Sequence, residues 1–215
     1  MRVLHSSDLH GDLELLLSYT DEFDLWIDTG NFLANSNHTN FAAVQPTAER
    51  QHQLHWCNHK GVGQRITKWL DGRPAIICPG NQDFLPLHKV ISHYGANTHL
   101  IKTAGIPVEN KLWAGFREIP YLDGEWEGEI HDFDNLVEDV WFSMPDVLVT
   151  HAPPTGILSG QWGIPRLATA LKEQKHDIKH HFFGHNVAEG GMQTYIDGVW
   201  HYNGARHVRA HTIDF

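Results

Sequence analysis

The chain has 215 residues, 41% of them hydrophobic, enough apolar material for one domain of ordinary size, taken as residues 1–215, with a sizeable core. Sixteen basic residues against twenty-six acidic ones leave a formal net charge of −10, which disfavours broad binding to nucleic-acid backbone. The two cysteines, Cys57 and Cys78, suggest no disulfide framework. Met1-Arg2 leads straight into a strand-like run, and no apolar run is long enough to span a bilayer. The expectation is a soluble, cytoplasmic protein with no membrane partner. With eighteen histidines present, no single one marks a site, and only placement counts.

The first stretch, Val3 to Asp12, reads as an apolar strand that runs into Asp8, His10 and Gly11. Side chains at i and i+2 of an extended segment point the same way, so Asp8 and His10 can address one ion from a strand end. Asp12 to about Tyr19 reads as a helix with Leu13, Leu16 and Leu17 on one face. A second buried-type strand, Asp24 to Asp28, stops at Thr29-Gly30-Asn31. Residues 32–48 read as a loop. A helix follows from about Thr47 to Leu70, interrupted at Gly61 and Gly63. A third strand, Ala75 to Cys78, closes on Pro79-Gly80-Asn81-Gln82-Asp83. A helix is expected over 84–93, a strand over 112–116 and a loop over 119–134.

Asp134 to Phe142 reads as a helix, and Asp146 to Thr150 as a strand that runs into His151-Ala152-Pro153-Pro154. A helix over 165–174 leads to His181-Phe182-Phe183 and then to Gly184-His185-Asn186. Three short strands near 192–196, 199–202 and 207–213 finish the chain. Alternating strands and helices imply an α/β layered fold. The apolar runs at 25–28, 76–78 and 147–149 suit strands covered on both faces. In such sheets ligands sit outside the carboxyl ends of the strands.

Five strand ends therefore offer Asp8 with His10, Asn31, Asn81, His151 and His185. Glycines at 30, 80 and 184 directly precede three of these residues and permit a tight turn that re-aims the next side chain. Mixed oxygen and nitrogen donors suit Mn, Fe, Zn or Ni better than Ca or Mg.

This series resembles the calcineurin-like metallophosphoesterase superfamily, whose pattern is Asp-x-His, Gly-Asp, Gly-Asn-His-(Asp/Glu), a lone His before small residues, and Gly-His-x-His. The segments VLVTHAPP and FFGHNVAEGG are most similar to the small cytosolic subgroup of metallophosphoesterase-domain-containing proteins. The resemblance implies a four-layer αββα sandwich, two mixed β-sheets flanked by helices. It also implies two metal ions that bridge a hydroxide and the substrate phosphoryl group. Asp8 and His10 would hold the first ion, and Asn81, His151 and His185 the second. Asp8, His10, Asn81 and His151 would carry the chemistry.

Three positions depart from the pattern. The bridging Asp of Gly-Asp is Asn31, the His of Gly-Asn-His is Gln82, and the last His of Gly-His-x-His is Val187. Asn31 offers a carbonyl oxygen without charge, Val187 removes a ligand, and Gln82 cannot act as an acid near neutral pH. One or two divalent ions per chain, manganese among them, are expected. The expected activity is hydrolysis of a phosphate ester, a phosphodiester in the first instance, with a nucleotide among the candidate substrates. The rival reading is a weak or inactive member that binds a nucleotide or a protein. Asp28, Asp83, Glu189 and His201 lie close in sequence to the motifs as candidate replacement ligands. His52, His55 and His59 share one helix face and read as a solvated stripe. Trp141 reads as core, while Trp126 and Trp162 are open as walls for a base. The acidic run Glu125, Glu127 and Glu129 reads as a solvated loop.

Overall fold

The computed structural model describes residues 1–36, 45–122, 126–173, 175 and 177–215. In chain order the elements are β1 (Arg2–Ser7), α1 (Leu13–Leu17), β2 (Leu25–Asp28), α2 (Pro46–Lys60), α3 (Val62–Leu70), β3 (Ala75–Ile77), α4 (Leu87–Ser92), β4 (Thr98–Leu100), β5 (Ile106–Val108), β6 (Lys111–Phe116), β7 (Ile119–Pro120), β8 (Glu129–Ile130), α5 (Asp134–Ser143), β9 (Val147–Thr150), α6 (Pro165–Glu173), β10 (His180–Phe183), β11 (Gln193–Ile196), β12 (Val199–Asn203) and β13 (His207–Thr212). One mixed sheet has the order β13-β1-β2-β3-β4, and a second has the order β11-β12-β10-β9-β6-β5.

Period-two alternation sorts the strand side chains into layers. Leu25, Ile27 and Ile76 of the first sheet meet Trp113, Val147, Val149 and Phe182 of the second. Their neighbours Trp26, Ala75 and Ile77 point the other way, onto Leu13, Leu16, Val62, Ile66 and Ile91 of α1, α3 and α4. Leu148, Ala114 and Val199 face Val137, Val140, Leu167 and Ala170 of α5 and α6. The result is an αββα sandwich. Fully burying each large apolar side chain contributes about 2 kcal/mol.

Local chemistry explains most boundaries. The Asp12 side chain caps α1 by accepting from Leu15 N at 3.0 Å. Pro46 occupies the first turn of α2. Gly61, at φ 61°, ends α2 in the left-handed conformation and begins α3. Gly63 does not break the chain; it lies inside α3, where an added Cβ would meet Val90 O at 2.5 Å. The helix expected over 84–93 begins only at Leu87, because residues 84 and 85 give their N–H groups to Gln53. The expected loop over 119–134 contains the short parallel pair β7 and β8, with residues 123–125, including Glu125, outside the described residues. Of the loop expected over 32–48, residues 37–44 likewise lie outside them. Strands β4 and β5 were not expected; both are short sheet-edge strands, and β5 carries Pro107. Cys57 and Cys78 are free and buried. Among the described residues no helix is long and apolar enough to cross a membrane.

The inter-sheet layer also holds histidines. His5 lies edge-on to Phe182 at 5.2 Å, and His211 packs on Tyr202 at 4.4 Å. Burial pushes His211 down to about 4, aided by Arg209 and His180, and lowers His5 well below the usual histidine range. A histidine whose folded pKa is depressed leaves stability intact above its unfolded value near 6.5. That stability is lost as pH falls from there toward the folded value, because the unfolded chain takes up protons first. The urea midpoint is therefore expected to fall between pH 7 and pH 5. His211→Gln should make that fall shallower, measured by tryptophan fluorescence.

Candidate metal centre

Strands β1, β2 and β3 run parallel, as do β9 and β10. Their carboxyl ends bring the candidate residues to one edge of the sandwich. Two glycines allow close approach: an added Cβ on Gly30 would collide with the backbone of Gly80, and one on Gly184 with the side chains of Ser7 and Asp8. Close approach, more than turn formation alone, is what these positions require. Four of the six candidate residues carry positive φ: Asp8 at 54°, His10 at 46°, Asn31 at 53° and His185 at 65°. Asp, Asn and His tolerate this region best among residues with a Cβ, and such conformations gather at functional sites.

A continuous chain of contacts links four of the six. Asn31 Nδ2 donates to Asp8 Oδ1 and to Asn81 Oδ1, each at 3.1 Å. Asn81 Oδ1 in turn faces His151 Nε2 at 3.1 Å. The orientation of Asn31 is fixed by its other end, where Oδ1 accepts from Gln82 N at 2.8 Å. A backbone N–H only donates, so the carbonyl of Asn31 faces Gln82 and its NH2 faces the centre. This differs from the expected carbonyl ligand.

The tautomer of His151 is fixed in the same way. Its Nδ1 lies 2.6 Å from Thr29 O, a pure acceptor, so Nδ1 carries the proton. Burial pushes His151 down to about 4, against the pull of Asp8, so the ring is neutral at neutral pH. Its Nε2 lone pair then meets the Asn81 Oδ1 lone pair with no proton between them. Two donors each about 2.1 Å from one ion stand about 3 Å apart at a right angle. The pair fits a cation.

Asp8 is buried. Its Oδ2 accepts from Ser7 Oγ and from His185 N, both at 2.7 Å. Although burial alone would raise its pKa, His151, Ser7, His185 and His10 hold it below the usual carboxylate value. His10 Nε2 stands 4.0 Å from Asp8 Oδ1. Its Nδ1 meets Asn35 Nδ2 at 3.0 Å, and Asn35 also bonds Gln82. The His185 ring packs edge-on against His151 at 4.9 Å and against Trp162 at 6.2 Å. Among the described residues no group of three or more His, Cys, Asp or Glu is placed to hold an ion; one of the lone pairs that converge here belongs to an asparagine, Asn81.

The candidate replacement ligands are engaged elsewhere. Asp28 accepts from Ser6 Oγ and Gly30 N. Glu189 Oε2 accepts from Gly160 N and Asn186 Nδ2. His201 Nδ1 lies against His181 Nδ1 at 3.3 Å. Val187 is 51% exposed and opens a 3-10 turn, so its side chain does not fill the place of a ligand. His52, His55 and His59 are exposed, with His55 and His59 stacked at 6.1 Å. Trp141 packs against the outer core of the second sheet, and Trp126 sits by Phe84 at 6.5 Å.

Asp83 has a different task from ligation. Its carboxylate accepts from Asn31 N at 2.8 Å, Gly80 N at 2.8 Å and Leu33 N at 3.0 Å. Burial raises its pKa while those three donors pull it down. Sequence reasoning missed Gln53, which reaches from α2 to bond Gln82 O, Phe84 N and Leu85 N. It also missed Asn35. A glutamine amid polar helix residues gives no local signal for such a role.

The family model described as calcineurin-like phosphoesterase matches residues 1–189. The chain belongs to that family. Its members are generally hydrolases that act on phosphate esters with divalent metal ions. No curated protein matches the chain. The two acceptors facing each other at Asn81 and His151 are a fit between these residues and the family's metal chemistry.

Removing the Asp83 carboxylate leaves three buried N–H groups without an acceptor, at about 1–3 kcal/mol each. Asp83→Ala is expected to cost at least about 3 kcal/mol in urea unfolding, and Asp83→Asn less. Equal stability of Asp83→Ala and the parent chain would contradict the clamp.

Proposed function

We propose that this chain is a metal-dependent phosphoesterase acting on phosphodiesters, in which Asn81 and His151 would hold one divalent ion firmly. The observation that carries this reading is the pair of lone-pair donors, Asn81 Oδ1 and His151 Nε2, facing each other at 3.1 Å. Neutral imidazole and amide oxygen beside a single carboxylate favour Mn, Fe, Zn or Ni. Bound there, a divalent ion supplies Lewis-acid activation of the phosphoryl group and of the attacking water.

The protein's own groups set the rest. Asp8 supplies the one negative charge, held in place by Ser7 and the His185 backbone. Asn31 occupies the bridging place with an NH2 group, which lowers the attraction for a second cation. Burial, opposed by Asp8, lowers the His10 pKa, so this ring is neutral at pH 7 and suited to accept or relay a proton. Gln82 offers a hydrogen bond without an acidic proton, which favours esters with good leaving groups. Exposed Trp162, beside His185, supports a substrate with a flat apolar part, a nucleotide being one. β13 pairs with β1 along its whole length, which supports residues 1–215 acting as one domain. A cytoplasmic setting agrees with the free buried cysteines. A second reading, a binding module with little turnover, draws on the same Asn31 NH2 group in the bridging place.

After dialysis against a weak chelator, elemental analysis is expected to find about one ion per chain. Asn81→Ala and His151→Ala should lose it, and Asp8→Ala should abolish hydrolysis of bis(p-nitrophenyl) phosphate. Asn31→Asp should add a second ion and raise activity, whereas Val187→His should change neither. Metal binding without hydrolysis in both the parent chain and Asn31→Asp would favour the binding module. Metal content unchanged by Asn81→Ala and His151→Ala would overturn the ligand assignment.

A further inference from the structure

A cavity of about 600 Å³ lies beside the candidate metal centre, on the flank of the Pro79–Asp83 loop. This volume is within the range of small-molecule sites. Phe84, Leu100, Ile101, Phe116 and Leu136 give it apolar walls. Two residues of its lining, Arg117 and His88, each carry a buried polar atom, Nε and Nδ1, with no hydrogen-bond partner among the described residues. A guanidinium N–H is always a donor, and a buried donor left without an acceptor is costly.

The other nitrogens of Arg117 are engaged. One donates to Gly80 O at 2.9 Å, and another meets Glu127 at 3.4 Å. Nε is the one nitrogen of this guanidinium with no partner among the described residues. The charges around the cavity offset one another. Arg117 is matched by Glu127, Asp83 is taken up by three backbone N–H groups, and the lining holds Lys102 and Glu118 as one further charge of each sign. Burial lowers the His88 pKa, so its ring adds no charge at neutral pH. Such a cavity offers a full anion no surplus of positive charge.

We propose that this cavity binds a neutral, planar heteroaromatic molecule that presents a carbonyl or ring-nitrogen acceptor to Arg117 Nε and a second polar atom to His88 Nδ1. The inference stands apart from the proposed catalysis, since the cavity lining excludes Asn81, His151 and Asp8.

The test is a fluorescence titration of the full chain with 2-quinolone, which carries adjacent C=O and N–H groups on a flat bicycle. Naphthalene serves as the isostere without polar atoms, and 1-naphthoate as the anionic counterpart. 2-Quinolone is expected to bind at least about tenfold more tightly than either control, the worth of one buried hydrogen bond. Arg117→Met and His88→Phe should each remove most of that preference. Ala104→Trp, at the exposed rim and away from the Gly80 contact, should block binding even if Arg117→Met does not fold. Inorganic phosphate should not displace the probe. Equal binding of naphthalene, tighter binding of 1-naphthoate, displacement by phosphate, or full binding to Ala104→Trp would each overturn the proposal.

Discussion

The carboxylate of Asp83 is the contact on which the centre depends. It accepts N–H groups from both sides of a close backbone approach, the Gly30–Leu33 segment and the Pro79–Asp83 loop. The pairing of β2 with β3 already brings Gly30 and Gly80 together, and the Asp83 carboxylate ties down the backbone beyond that pairing. Asn31, whose amide is aimed by Gln82 N, sits on the backbone that Asp83 holds. Gln53 fastens the same loop from the helical layer. The polar centre is thus held by groups that never face it, each buried and each satisfied by backbone.

The parallel strands do the coarser positioning. Ligand-bearing turns at their carboxyl ends gather on one edge because β1, β2, β3, β9 and β10 all leave the sandwich in that direction. The glycines then decide how near the turns come. Residues with φ near 50° complete the arrangement by aiming short polar side chains back across the edge. What results is a centre poor in charge: one carboxylate, two amides and neutral imidazoles.

Much of this was legible in the sequence. Apolar runs ending in Gly-Asn, Gly-His or Asp-x-His located the strand ends, and the alternation of strand and helix gave the layers. Gly61 read correctly as a break, because glycine takes up the left-handed conformation of a helix end at the least cost. Gly63 did not, because its reason is the approach of α4, which only the tertiary structure contains. The short strands β4 and β5 were missed since three residues at a half-exposed edge carry no periodicity. The direction of the Asn31 amide was beyond reach as well. It is set by Gln82 N, 51 positions away, and nothing local distinguishes a carbonyl from an NH2 pointing inward.

The NH2 group of Asn31 has a consequence for how the protein is made. In a centre with two facing carboxylates, like charges repel until cations arrive, and assembly waits on supply. Here the amide knits Asp8 to Asn81 with hydrogen bonds that belong to the polypeptide alone. A newly synthesised chain can therefore complete this edge of its fold without waiting for a cation, because the contacts that arrange it are its own.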